Sequence, residues 1–406
     1  MKTIFFEDNH TKRFHPLTLT RPLDDLRVGI LTLAEKWSKE SAIKADSYSR
    51  LLRSSLDGVF SANQIHKNDE ILFINPRFFP SKSLVRDINL LHINEGITFK
   101  DEDSKDPVIV AYLWKSTFQG VLKELPIFAS SSIQEKTNLP AIHRIWDLFL
   151  QNAEQMQQDI ERLHLSGISK NASISKHAII EGRNIFIEDG AKIEAGAILL
   201  AEDGPIFIGK DAHIMAGAIL RGHVAVGNKS QIKMAAKIYE NTTIGPVCKV
   251  GGEVGSSIFH SYSNKGHDGY VGNSIIGQWC NFGADSNTSN LKNNYSTVRF
   301  ADWESKKLVD SGKQFLGTIM GDHSKTAINT MLNTGTICGV SCNLFSSSFP
   351  MKYVPSFRWL ADDSTRIYDF DKAIQVVERV MSRRNVPLSD SYINMMKSIY
   401  DGAIYE

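Results

Sequence analysis

Aliphatic residues recur at every sixth position through the middle of this chain. Ile208, Ile214, Leu220, Val226, Ile232, Ile238, Ile244 and Val250 follow one another without a miss. The same stride runs through Ile168, Ile174 and Ile180, then Ile187, Ile193 and Leu199, and later Met320, Thr326, Leu332, Cys338 and Leu344. A period of six fits neither an amphipathic helix at 3.6 residues nor a coiled-coil seam at 3.5, but it is compatible with the two-residue alternation of a strand. The reading that satisfies it is a parallel β-helix: each hexad gives one short strand, three hexads close a triangular coil, and the aliphatic residue points into the prism. Gly209, Gly227, Gly245 and Gly251 follow the inward position, where tight corners favour a residue without a Cβ. At about 4.8 Å per coil, roughly eight coils make a prism about 40 Å long. A β-sandwich is disfavoured because its turns do not recur at a fixed six.

Two stretches break the stride, residues 253–275 and 291–313, and are expected to leave the solenoid as excursions. The second contains the strand-like runs 297–303 and 306–309, which read as a hairpin. Ahead of the solenoid, apolar runs at 3–6, 71–74 and 108–113 alternate with helical stretches, as in an α/β layer with a largely parallel sheet. Ligands bind such sheets at the carboxyl ends of strands, which directs attention to the turn at residues 8–13. Behind the solenoid, residues 369–384 and 389–404 read as two amphipathic helices that cap the last coil or clasp a neighbouring subunit. The expected division is an α/β domain over 1–165, a parallel β-helix over 166–350 and a helical extension over 351–406.

Composition narrows the classes of partner. Lys plus Arg number 46 against 45 for Asp plus Glu, a formal charge of +1, so nucleic acid is not the expected partner. The first apolar run is too short for a signal-peptide core, and no stretch approaches eighteen apolar residues; a cytoplasmic protein away from membranes is expected. Cys248, Cys280, Cys338 and Cys342 form no CxxC pair, which suits a reduced compartment.

The segment His267-Asp268-Gly269-Tyr270-Val271-Gly272, followed by Phe282-Gly283-Ala284 and Asn287-Thr288-Ser289-Asn290, resembles the acetyltransferase half of a bifunctional family. That family joins glucosamine-1-phosphate acetyltransferase to N-acetylglucosamine-1-phosphate uridyltransferase in a trimeric left-handed β-helix enzyme. The resemblance implies that His267 is the general base and that Tyr270 and Asn290 orient the sugar. It also implies that Lys233 and Arg221 bind the sugar phosphate. An amine attacking a thioester must lose a proton, which histidine as a residue type accepts near neutral pH. Lysine and arginine pair with phosphate, and a corner backbone N–H can hold the oxyanion. Acetyl-CoA is then the donor, its pantetheine arm lying between two prisms.

The N-terminal segment resembles the sugar nucleotidyltransferase signature, in the manner of a divergent bacterial branch that carries a hexapeptide-repeat domain. Arg13 and Pro16-Leu17-Thr18 fit it, and the resemblance implies nucleotide binding at Asp8, Asn9 and Arg13, with UTP or a nucleotide sugar and Mg²⁺. The glycines that bring the backbone close to a triphosphate are replaced by Asp8, Asn9 and Thr11; the expected lysine is Leu23, and the expected metal-binding Gly-Asp is Asn75-Pro76. No metal-ligand set is read from the sequence. The expectation is therefore a homotrimeric transferase that moves acetyl from acetyl-CoA to an amino-sugar phosphate, with nucleotidyl transfer by the first domain. Its alternatives are a non-catalytic recognition domain, a hexapeptide scaffold, or a carbonic-anhydrase-like metalloenzyme drawing on His213, His223, His260, His267 and His323.

Overall fold

The computed structural model describes residues 1–40, 48–101, 106–126, 133–362 and 364–404. The first domain holds a six-stranded sheet: β1 (Lys2–Phe5), β2 (Tyr48–Arg50), β3 (Glu70–Ile74), β4 (Glu95–Phe99), β5 (Val108–Lys115) and β6 (Ile133–Lys136), in the order β2-β1-β3-β5-β4-β6. The α/β character is as expected, but the sheet is mixed rather than largely parallel. β5 runs antiparallel to both β3 and β4, while β1–β2, β1–β3 and β4–β6 are parallel. The short connection from β4 to β5 makes this so, because it leaves no room for the crossover a parallel pair requires.

The second part is the parallel β-helix that the repeat implies, left-handed as in the family resembled, with three ladders of short strands. Face 1 stacks nine strands from Ile185–Ile187 to Tyr353–Val354. Face 2 begins at Ser173–Ile174 and face 3 at Ile179–Glu181. The every-sixth residues fill the prism: Ile208, Val226, Ile244, Phe259, Ile276, Met320, Cys338 and Val354 form one inward column, all buried. All four cysteines are free and buried. Parallel pairing continues past residue 350 to Arg358–Ala361.

Residues 253–275 do not leave the solenoid. They form coils of altered length, in which Val250 pairs with Lys265 rather than with Asp268, where a strict eighteen-residue coil would bring it. The aliphatic stride fails there because a lysine takes the inward position and the corner is shortened. Residues 291–313 do protrude, as the antiparallel hairpin Arg299–Ala301 with Leu308–Asp310. Corner packing leaves no slack at Gly245, where a Cβ would stand 1.8 Å from the carbonyl oxygen of His260 on the next coil. Gly245→Ala is therefore expected to cost about 1–3 kcal/mol or more. An unchanged urea midpoint would contradict that tight stacking.

Face 1 is covered by the first domain. Its outward residues Ile258, Ile275, Ile319 and Ile337 are buried in one cluster with Phe14, Leu17, Leu23, Leu26, Trp146 and Phe149. Phe300 of the hairpin reaches back to meet Trp146 edge-on, with ring centroids 4.8 Å apart. Polar contacts fix the register of the two domains: Thr243 Oγ1 donates to the Gly29 carbonyl at 2.9 Å, and Asn152 Nδ2 to that of Asn241 at 2.9 Å. At the centre Arg21, 2% exposed, pairs with Asp322, 1% exposed, and with Asp25 at 3.0 Å. Thr20 Oγ1 donates to the same Asp322 carboxylate at 2.8 Å, as does the Gln278 backbone N–H.

Two helices follow the solenoid: Phe370–Ser382 starts on Asp369 and Asp390–Ala403 on Ser389, each of whose side chains accepts a first-turn N–H. Rather than closing the last coil, they lie along the prism edge between faces 1 and 2. Tyr262, Trp279, His323 and Phe357 occupy that edge in the left-handed region, at φ of 53–62°. Their rings make a ridge on which the helices dock, with Val377, Met381, Met395 and Met396 buried against it and Tyr392 bonded to His323 at 2.9 Å. Among the described residues, no helix is long and apolar enough to cross a membrane.

Candidate active site

A cavity of about 680 Å³ opens on face 2. Its floor is a column set by strand register, in which Lys249, Asn264, Asn281 and Lys325 lie one above another. One wall is the aromatic edge, where Tyr262 stacks on Trp279 with centroids 4.1 Å apart, backed by Val380, Arg383 and Arg384 at the end of the first C-terminal helix. The other wall is the corner between faces 2 and 3, carrying Lys233, Gly266, His267, Gly283 and Ala284.

His267 is exposed at that corner, and the loop carrying it is held from inside the prism. Lys265, 1% exposed, extends its ammonium to the carbonyls of His267 at 2.7 Å and Asp268 at 3.0 Å. Burial pushes the Lys265 pKa down to about 8, and the charges of Asp268 and Asp285 oppose that shift. The floor lysine Lys325 is likewise pushed down to about 8 by burial, partly offset by the thiols of Cys280 and Cys342 beneath it.

The structure distributes the expected site residues over two faces. His267 and Lys233 share the cavity. Tyr270 and Asn290 meet on face 3, where Asn290 Nδ2 donates to the Tyr270 hydroxyl at 3.1 Å and to Asn273 Oδ1 at 2.7 Å. Burial raises the Tyr270 phenol pKa, so it stays a hydroxyl donor at neutral pH. Arg221 lies lower on face 3, exposed and paired with Asp203 at 2.8 Å. Sequence reasoning missed Lys249, Asn281, Lys325, Arg383 and Arg384. The column could have been found by counting outward positions coil by coil, whereas the arginines arrive only through the docking of a distant helix.

In the first domain, Asp8 starts the turn Asn9–Phe14 by accepting the His10 N–H at 2.9 Å. Its second carboxylate oxygen accepts from Asn75 Nδ2 at 2.8 Å and from Arg77 Nε at 2.7 Å. Arg77 is fully buried and also reaches Asp101 Oδ2 at 3.3 Å. Asn9 is exposed, and Arg13 stands 3.8 Å from Asp101. Both Asp8 oxygens are engaged by the chain itself, an arrangement that does not fit a divalent ion bound by Asp8. The five histidines of the metalloenzyme alternative are dispersed: His213 bonds Glu194 at 2.8 Å, and His260 and His323 are buried on Gln278 and Tyr392. Among the described residues, no group of three metal-binding side chains gathers.

A family model described as sugar nucleotidyl transferase matches residues 3–166. The bifunctional protein GlmU of Methanocaldococcus jannaschii is 30% identical over 207 residues, covering 50% of this chain and 42% of that protein. Residues 3–166 thus match the sugar nucleotidyl transferase family, and the chain is similar to bifunctional GlmU proteins at low identity. A bifunctional sugar-1-phosphate nucleotidylyltransferase/acetyltransferase of Sulfurisphaera tokodaii is 29% identical over 164 residues, 39% of this chain and 37% of the relative. The chain thus spans about two fifths of the length of these relatives. Among solved structures, the polySia-specific acetyltransferase NeuO aligns with 53% of this chain and 99% of its own, at 16% identity and a TM-score of 0.28.

Proposed function

We propose that the GlmU-like chain is an acyltransferase that moves acetyl from acetyl-CoA to an amino-sugar phosphate, with its β-helix, spanning about 166–350, as the transferase domain. The observation that carries this reading is the position of His267 on the rim of a cavity whose lining holds five cationic side chains. In this reading His267 accepts the amine proton as nitrogen attacks the thioester carbon. The C–S bond then breaks, and CoA leaves as the thiolate that takes up a proton. Lys233 and the floor lysines hold phosphate, while Tyr270 and Asn290 position sugar hydroxyls. The assembly proposed is a homotrimer in the cytoplasm, built through the prisms, with Arg221 as an outlying phosphate contact. Incubation with acetyl-CoA and glucosamine 1-phosphate tests the reading: free thiol should appear with the sugar present. No release across several amino sugars would sink it.

The Asp8–Arg77 clamp favours a second reading for the first domain, recognition of a nucleotide or sugar nucleotide near Asp8, Asn9 and Arg13 without Mg²⁺-dependent transfer. Pyrophosphate release from UTP would overturn that reading, and nucleotide binding without release would support it.

Lys325 supplies a pH dependence. It faces Cys280 and Cys342 beneath it and His323 on its own coil; Lys233, Lys249, His267, Arg383 and Arg384 line the same cavity. Its pKa without ligand is pushed down to about 8, so the positive charge is present below that pH and lost above it. Affinity for a phosphate ligand is expected to fall as pH rises from 7 to 9. Lys265 titrates in the same range, so Lys325→Gln separates the two: it should flatten the profile, and an unaltered profile would exclude Lys325 from binding.

A further inference from the structure

We propose that a second pocket, enclosed between the first domain, the hairpin and the last helix, binds a neutral saccharide. It shares no lining residue with the face 2 cavity and stands apart from the acetyl-transfer reading.

The pocket encloses about 250 Å³. Its walls come from parts far apart in sequence: His15 and Leu19 after β1, Arg53 and Ser55 after β2, Trp303 of the hairpin, and Ser398, Ile399 and Gly402 of the helix Asp390–Ala403. It therefore exists only in the assembled chain. A second recess of about 190 Å³ shares Ser55 and Ser398 with it and adds Ser54, Asp57, Ser391 and Asn394. Gly402 is informative because nothing in the fold requires a glycine there. Its φ lies outside the left-handed region, and a Cβ would meet no atom within 4 Å. Glycine within a helix is less stable than alanine by roughly 0.5–1 kcal/mol. What the missing side chain leaves open is the wall of the pocket.

Hydrogen bonding selects the class of ligand. Thr18 Oγ1 donates its proton to the Thr11 carbonyl at 3.2 Å, so the 2.8 Å bond between His15 Nδ1 and Thr18 Oγ1 carries the imidazole proton. Burial, and then the charges of Arg53, Lys306 and Lys12, hold the His15 pKa down at about 3, so the ring is neutral and Nε2 is an acceptor. Among the described residues no donor reaches that nitrogen. Arg53 is the opposite, a donor only. Its Nη2 serves the carbonyls of Thr18 at 2.6 Å and Arg21 at 3.0 Å, while Nη1 has no acceptor among the described residues. Its charge is already balanced by Glu7, 3.1 Å from Nε, and Asp57 lines the second recess, so an anion gains little here. A hydroxyl group both donates and accepts, and neighbouring hydroxyls on one ring satisfy Nε2 and Nη1 together. The hydroxyls of Ser55 and Ser398, which make no hydrogen bond among the described residues, extend the same pattern. Leu19, Trp303 and Ile399 supply an apolar wall for the C–H face of a sugar ring. The volume lies just below the roughly 300–1,000 Å³ that drug-sized ligands occupy, which suits one ring, with the second recess suited to another.

Saturation-transfer NMR and titration calorimetry on the full chain test the proposal, with glucose, N-acetylglucosamine, cellobiose and benzoate as probes. At least one sugar should bind at millimolar concentration or below, and benzoate should not displace it. Tighter binding of cellobiose than of glucose assigns both recesses to the ligand, and equal affinity assigns the first alone. Gly402→Leu fills the pocket from a position that has room for it, and should weaken sugar binding by about tenfold or more. Its melting temperature should equal or exceed the parent's, because leucine favours a helix. His15→Phe keeps the shape of the ring without Nε2 and should weaken the sugar as well. His267→Gln should leave sugar binding unaltered, which separates this pocket from the site of acetyl transfer. The proposal is overturned if no sugar binds at tens of millimolar, or if Gly402→Leu binds sugar as the parent does. It is equally overturned if benzoate occupies the pocket and the sugars do not.

Discussion

Replacing His267 with Gln is expected to lower the rate of acetyl-CoA-dependent thiol release by about 10²–10⁴-fold, the range a positioned general base contributes. The side chain is exposed at a corner and makes no hydrogen bond among the described residues, so the variant should melt where the parent does. Binding should survive as well, because the phosphate-facing charges come from Lys233, Lys249, Lys325, Arg383 and Arg384. A loss confined to turnover separates proton transfer from ligand capture. Lys265 gives a companion measurement. It touches backbone carbonyls of the His267 loop and lies inside the prism, so it is a positioning residue. Lys265→Met keeps much of the volume and removes the two bonds to the loop. Turnover should fall with smaller effects on binding, and an unchanged rate in H267Q would remove His267 from the chemistry altogether.

The second large effect concerns the join between the domains. Asp322→Ala is expected to cost about 3 kcal/mol or more, because it strips the buried Arg21 guanidinium of its fully buried carboxylate and leaves it only Asp25, at 3.0 Å. Asp322 also accepts from Thr20 and from the Gln278 N–H, so three donors lose their acceptor together. His260 cannot take over the role of counter-charge. Burial, and next the Arg21 charge, hold its pKa well below the ordinary value, and the neutral ring is already committed to the Asp25 carbonyl at 2.6 Å. The urea midpoint and the rate of proteolysis between the domains report the loss. As a control, removing the exposed Arg221–Asp203 pair should leave the midpoint where it was. A shift for Asp322→Ala no larger than that control would show that apolar contacts alone hold the domains together.

The architecture was legible because a hexad places the same residue type at the same point of every coil, so register could be counted. Where a coil shortened, counting failed: Lys265 takes an inward place that the stride reserves for aliphatics, and the stretch around it reads as an excursion. The candidate base was legible through a local motif. The rest of the cavity was not, because Arg383 and Arg384 come near Lys249 only after two helices dock on a ridge of left-handed corner residues, a contact between distant parts of the chain. The covering of face 1 was hidden for a similar reason. Ile258, Ile275, Ile319 and Ile337 alternate with inward residues as any strand would, and nothing local shows that their outer side is also dry.

That dry outer side restricts how copies of the chain can meet. With face 1 occupied by its own first domain, each prism has two faces left to offer a neighbour, and His267 stands on the edge where they join. The homotrimer proposed above must therefore be built through faces 2 and 3, the first carrying Lys233 with the lysine column and the second the Tyr270–Asn290 pair.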